Sequence, residues 1–229
     1  MRVANALKAD IKFQVKQGFY GVYIVLTIVY MVILSAIPEE IRKILIPLIV
    51  FSDPSIVGFF FIGGIIMLEK GQGILQYLAV TPLRLKEYIL GKVISLSILA
   101  VLAGFMITAV TYRGSVNWIL LFLGVFLSSA FCTLLGFGVG LRSKTINEYF
   151  IKMIPGMLLI AVPCFSLLIS HPYGIVFNIF PSVSGLKLVY GAYQGIAPLE
   201  LVGNSIVLMF FTIIALNWIE KLMIRGESQ

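Results

Sequence analysis

The chain has 229 residues, 60% of them hydrophobic and only 12% charged, with a mean hydropathy of +1.05. A soluble domain carries about 25% charged residues, so this composition excludes a disordered chain, argues against a soluble enzyme and specifies an integral membrane protein. The net charge of +7 then asks which membrane face holds the basic residues, and no nucleic-acid partner is expected.

In residues 1–17, Val3, Leu7, Ile11 and Val15 recur every four positions, and Lys8, Lys12 and Lys16 follow one position later. On a helix the lysine stripe stands about 100° from the apolar one, which predicts a helix lying in the membrane interface with its lysine stems snorkelling to headgroups. A basic anchor that only sets topology is the alternative. Six apolar segments near the roughly 20 residues that a span needs follow, at 18–37, 44–68, 88–110, 116–141, 153–169 and 201–219. The first is expected to be an uncleaved anchor, because its charged leader is long and no small-x-small cleavage site follows. Inside the second, Ser52-Asp53-Pro54 reads as an N-cap followed by a first-position proline, starting a helix; an ion site is the alternative.

Between the second and third spans, residues 69–87 form the longest connection on their side. Gly71 and Gly73 loosen the end of the second span, and Ile74, Leu75 and Leu78 make an apolar face at i, i+1 and i+4. Thr81-Pro82 reads as an N-cap and first helical residue of the next helix. A short helix held across the membrane surface in this way suits docking in a soluble partner's groove and transmitting its motion.

Further along, Gly136 and Gly140 make a small-xxx-small face for close helix approach, either within the bundle or against a second copy. Residues 172–198 are too apolar for a solvated loop and are broken by Pro181, Gly185, Gly191 and Gly195. A re-entrant or interfacial hairpin is expected there. A seventh span, the alternative, carries Pro181 and Lys187 and reverses the C-terminus. Cys132 and Cys164 lie in apolar runs as small lipid-compatible side chains, and the single histidine, His171, stands beside Pro172 with no second ligand for a metal.

The basic residues orient the chain. Arg2, Lys8, Lys12, Lys16, Lys70, Arg84, Lys86, Lys92, Arg142, Lys144, Lys152, Lys221 and Arg225 fall on one side of this topology, and only Arg42, Lys43, Arg113 and Lys187 on the other. Thirteen against four places both termini in the cytoplasm. The sequence holds no G-x-x-x-x-G-K-[ST], H-E-x-x-H or G-x-S-x-G, so neither ATP hydrolysis nor intramembrane hydrolysis is expected of this chain, and no cofactor or metal.

The run Glu69-Lys70-Gly71-x-Gly73-x-Leu75-x-Tyr77-Leu78-x-Val80-Thr81-Pro82-Leu83, followed by Glu87-Tyr88-Ile89-Leu90-Gly91-Lys92, closely resembles the signature of type-2 (ABC-2) permease subunits of ATP-binding cassette exporters. The size and bare chain also resemble small permeases of fluoroquinolone or other drug export. The resemblance covers nearly the whole chain and implies an all-α, six-span permease domain over 1–229. It implies a coupling role for Glu69, Gly71, Gly73, Ile74, Leu75, Leu78, Thr81 and Pro82, and partner ATPase subunits that bind ATP and Mg. It also implies a second permease chain, identical or related. Export of a drug-like, amphipathic or peptide substrate is the expected function. A stand-alone secondary transporter or channel, which requires ionisable groups at mid-membrane depth, and a non-transporting assembly component are the alternatives.

Overall fold

A computed structural model describes residues 2–77, 83–165 and 179–225. Every regular element among them is a helix: α1 (Arg2–Lys16), α2 (Phe19–Ala36), α3 (Glu39–Gly71), α4 (Ile74–Tyr77), α5 (Leu85–Thr111), α6 (Trp118–Leu141), α7 (Ile146–Phe165), α8 (Pro181–Gln194) and α9 (Pro198–Ile224). Five of these, α2, α3, α5, α6 and α9, are long and apolar enough to cross a membrane. The sixth expected segment overlaps α7, which starts at Ile146 and so takes in Glu148 and Lys152; residues 166–169 lie outside the described residues.

Several boundaries move for local reasons. Helix α3 begins at Glu39, not near residue 44, so the expected outer loop shrinks to Ile37-Pro38. Glu39 and Glu40 suit the positive end of the helix dipole, and Lys43 pairs with Glu39 at 2.8 Å one turn on. The same helix then continues without interruption through Asp53-Pro54, so no new helix starts there and Asp53 is not a cap. Proline removes one backbone hydrogen bond, a loss that membrane helices tolerate where neighbouring groups take up the freed carbonyl. Thr81 and Pro82 lie outside the described residues, but α5 starts only at Leu85, with the Glu87 carboxylate accepting from the Arg84 N–H at 2.9 Å. That capping interaction, not Thr81-Pro82, opens the helix. Helix α6 opens on Asn117, whose side chain accepts from the Leu120 N–H, and α9 opens on Pro198.

Helix α6 is the axis of the bundle, packed by α3, α5, α8 and α9. Its glycines allow the approach. A Cβ on Gly136 would stand 2.7 Å from the Phe59 carbonyl oxygen, and one on Gly140 3.4 Å from Ile66. Both glycines therefore face α3 of the same chain. Helices α2 and α9 are peripheral and turn apolar stripes outward, among them Val25, Val32, Ile206 and Phe210.

Helix α8 is buried but short. Its 14 residues rise about 21 Å, less than the roughly 30 Å hydrocarbon layer. Gly185 near its start lies against Ser128 in the middle of α6, and Ala192 near its end accepts from the Asn117 N–H at the beginning of α6. The helix thus runs from mid-bundle to one end, where Gly195 (φ 84°) turns the chain into α9. The other limb of the expected hairpin, with His171, lies outside the described residues.

Contacts sort the helix ends into two sets. The end of α3, the starts of α5 and α7, and the ends of α6 and α9 meet one another through Lys70–Leu141, Lys86–Glu220, Lys152–Arg142 and Arg142–Trp218. At the opposite end Tyr190 meets Ile44, and Tyr193 meets Thr108 and Tyr112. The basic residues gather at the first of these ends.

Candidate functional site: a buried ion cluster at the root of the connector

The basic end contains an ion cluster closed off from solvent. Lys92, about two turns into α5, has 0% of its side chain exposed, and its ammonium lies 2.6 Å from Glu69 Oε1 and 2.9 Å from Asp10 Oδ1. Tyr88, one turn before Lys92, donates to Glu69 Oε2 and places its ring 4.7 Å beneath the ammonium. Gln14 on α1 donates to Ser95 Oγ at 2.6 Å, and Ser95 in turn donates to the Lys92 carbonyl oxygen. Three helices are thereby tied at one point: α1 through Asp10 and Gln14, α3 through Glu69, and α5 through Tyr88, Lys92 and Ser95.

The local sequence explains why these groups converge. On α1 the residues toward α5 are Ala6, Asp10 and Gln14, spaced four apart, whereas Val15, in the apolar stripe one position later, is 55% exposed. The inner stripe fits because α5 presents Gly91 beneath it. A Cβ there would fall 2.7 Å from Asp10 Oδ2 and 3.3 Å from the Ala6 Cβ. Glycine therefore lets α1 descend until its carboxylate reaches Lys92. Burial raises the Asp10 pKa, an effect that the adjacent Lys92 ammonium opposes but does not cancel.

Glu69 thus joins the cluster. Two residues on, Gly71 ends α3 at an exposed position, and Gly73 adopts a left-handed φ of 70° that returns the chain into α4. Ile74 and Leu75 on α4 are half-buried, and Leu75 packs on the apolar group that includes Ile66, Tyr88 and Phe137. Leu78, Thr81 and Pro82 lie outside the described residues. Beside the connector, Lys70 donates to the carbonyls of Leu141 (2.6 Å) and Ser143 (3.0 Å), satisfying orphan acceptors at the end of α6. A groove of about 410 Å³ opens here, with Lys70, Gly71, Lys144 and Thr145 on its wall. Asp10 and Gln14 escaped a sequence reading that followed apolar stripes, and Tyr88 and Lys92 entered it only as letters of the motif. The signal was there as a second, polar stripe on α1 and as a lysine inside an otherwise apolar span.

Two further features lie deeper. Asp53 is 3% exposed with both carboxylate oxygens unpartnered. Ser128, Ser129 and Thr133 on α6, with Ser182 and Ser184 on α8, are buried with free hydroxyls, whereas Thr27, Thr108, Thr111 and Thr212 bond back to the preceding turn. Between α6, the start of α8 and α9, an apolar groove of about 500 Å³ is lined by Phe131, Leu135, Phe180, Phe211 and Trp218.

The sequence model of the Fluoroquinolones export permease protein family matches residues 1–225. The chain is 26% identical over 213 residues to the Fluoroquinolones export permease proteins of two Mycobacterium tuberculosis strains, CDC 1551 / Oshkosh and ATCC 25618 / H37Rv. Those alignments cover 90% of this chain and 87% of each relative.

Proposed function

Since this chain belongs to the Fluoroquinolones export permease protein family and is a multi-pass membrane export permease, we propose that it is the transmembrane subunit of an ATP-driven exporter. A separate ATPase subunit, holding ATP and Mg, docks at the basic end, which lies in the cytoplasm. Helix α7 continues into a sixth span, and residues 172–198 form a re-entrant hairpin whose rising limb is α8. A second permease chain completes the path. The substrate is amphipathic and drug-like, a reading supported by the name of the relatives and by the apolar groove beside Phe131 and Trp218.

The observation that carries this reading is the position of the connector relative to the ion cluster. Glu69 ends the long lever of α3, and α4 hangs two residues beyond it on Gly71 and Gly73. Through Lys92 the same carboxylate grips α5 and, through Asp10, α1. A push delivered at Ile74 and Leu75 therefore reaches three helices together, which is what a coupling element requires.

Co-purification tests it. An ABC ATPase subunit is expected to be retained by the wild-type chain and released by Leu75→Asp, while the melting temperature of the permease moves by only a few degrees. Vesicles holding both subunits are expected to move a fluoroquinolone only with hydrolysable nucleotide. Transport by the isolated chain without nucleotide overturns the proposal.

A further inference from the structure

Asp53 belongs neither to the coupling cluster nor to any cap. It is the fifteenth residue of the 33-residue α3, so at 1.5 Å per residue it lies about 21 Å from the first residue of the helix and about 27 Å from the last. That is the depth of the bilayer centre, where a carboxylate is expensive and is normally paired. Among the described residues it pairs with no basic side chain, and neither oxygen accepts a hydrogen bond. What faces it is aromatic. Tyr23 and Tyr30 of α2 stand near enough to interact with its charge, and they bracket the buried Thr27 on one face at i, i+4 and i+7. The Tyr23 hydroxyl is itself buried, with the Asp53 carboxyl group as its neighbouring acceptor.

The carboxyl group thus faces two tyrosine hydroxyls and no positive charge, and that chemistry selects the ligand. A hard metal ion takes about six oxygen ligands, and no group of three or more acidic, histidine or cysteine side chains exists among the described residues. An organic cation needs less: one carboxylate for its charge and aromatic faces for its apolar body. The route also fits. Helix α2 packs more on α5 than on α3 and turns Val25, Ile28 and Val29 outward, so a cation dissolved in the bilayer meets this seam from the side.

We infer that Asp53, with Tyr23 and Tyr30, is an intramembrane site for a lipophilic organic cation, the positively charged part of the exported solute. The inference rests on the exporter reading for its biological meaning, but binding to the purified permease tests it without any ATPase. Full-length chain in lipid nanodiscs is titrated with tetraphenylphosphonium, and with uncharged Nile red as a probe of apolar binding. Saturable tetraphenylphosphonium binding is expected in the wild type and at least a tenfold loss of affinity in Asp53→Asn. Asp53→Glu is expected to stay within about threefold, with Nile red binding equal in all three. Tyr30→Leu, which removes a ring at a half-exposed position, is expected to weaken the cation and spare Nile red. Tetraphenylphosphonium binding that is absent from the wild type, or equal in wild type and Asp53→Asn, overturns the inference; the second result leaves Asp53 with a proton or a purely structural part. Loss of the ATPase partnership with intact cation binding sinks the exporter reading and leaves this site standing.

Discussion

Replacing Lys92 by Met removes the only cation between two buried carboxylates. The ammonium is fully enclosed and touches Glu69 at 2.6 Å and Asp10 at 2.9 Å, while those side chains are 6% and 13% exposed. Breaking a buried pair from one side costs about 3–5 kcal/mol, because the remaining charge keeps its desolvation penalty and loses its partner. Here two charges are stranded, so the upper part of that range applies. For chains of 150–250 residues, about 2–4 °C of melting temperature follows each kcal/mol, which places the loss at about 8–20 °C. Thermal unfolding of the purified protein in detergent measures it.

The sign of the pH dependence follows from Asp10. Its pKa is already raised in the folded state by burial, against the pull of Lys92. A raised acid binds protons more readily folded than unfolded, so its cost is absent below the unfolded value near 3.8 and grows as pH rises toward the folded one. Without Lys92 the folded pKa climbs further. Lys92→Met is therefore expected to regain stability relative to wild type on acidification. The triple variant Asp10→Asn/Glu69→Gln/Lys92→Met is expected to recover most of the loss at neutral pH, since no charge is left stranded. A single variant melting within 2 °C of wild type, or a triple variant as unstable as the single, would refute the electrostatic account.

Gly91→Val should lift α1 off α5, because the new Cβ would meet Asp10 Oδ2 at 2.7 Å; faster proteolysis of residues 1–17 in Gly91→Val than in wild type reads this, and equal rates count against the glycine seat. At the α3–α6 contact, Gly136→Ala is expected to cost about 1–3 kcal/mol through overpacking and Gly140→Ala less. A Cβ on the first would meet both Ile62 Cγ2 and the Phe59 carbonyl oxygen at 2.7 Å, one on the second only side-chain carbon of Ile66 at 3.4 Å. Equal melting temperatures for the two would contradict that ranking. Glu69→Gln keeps shape while removing one charge from the cluster, and is expected to reduce coupling of ATP hydrolysis to transport in the reconstituted pair; unchanged coupling argues against Glu69 as the transmitting residue.

Composition and apolar run length were enough for a membrane-embedded helical bundle, because burial in lipid leaves a one-dimensional signature that needs no knowledge of neighbours. The motif from Glu69 to Lys92 was also legible, and with it the family to which the chain belongs. Partner choice was not. The apolar stripe of α1 said nothing of its contact with α5, since only the docking of Ala6 and Asp10 over Gly91 reveals which side meets that helix. Ser52-Asp53-Pro54 carried a cap pattern, yet α3 runs on through it, and Asp53 becomes a buried carboxyl group instead. Gly136 and Gly140 allowed two partners until α3 filled the space. Sequence pattern records what each residue prefers toward lipid or water; which side chain a buried charge meets is a relation between distant segments, and here only the tertiary structure joins Asp10, Glu69 and Lys92.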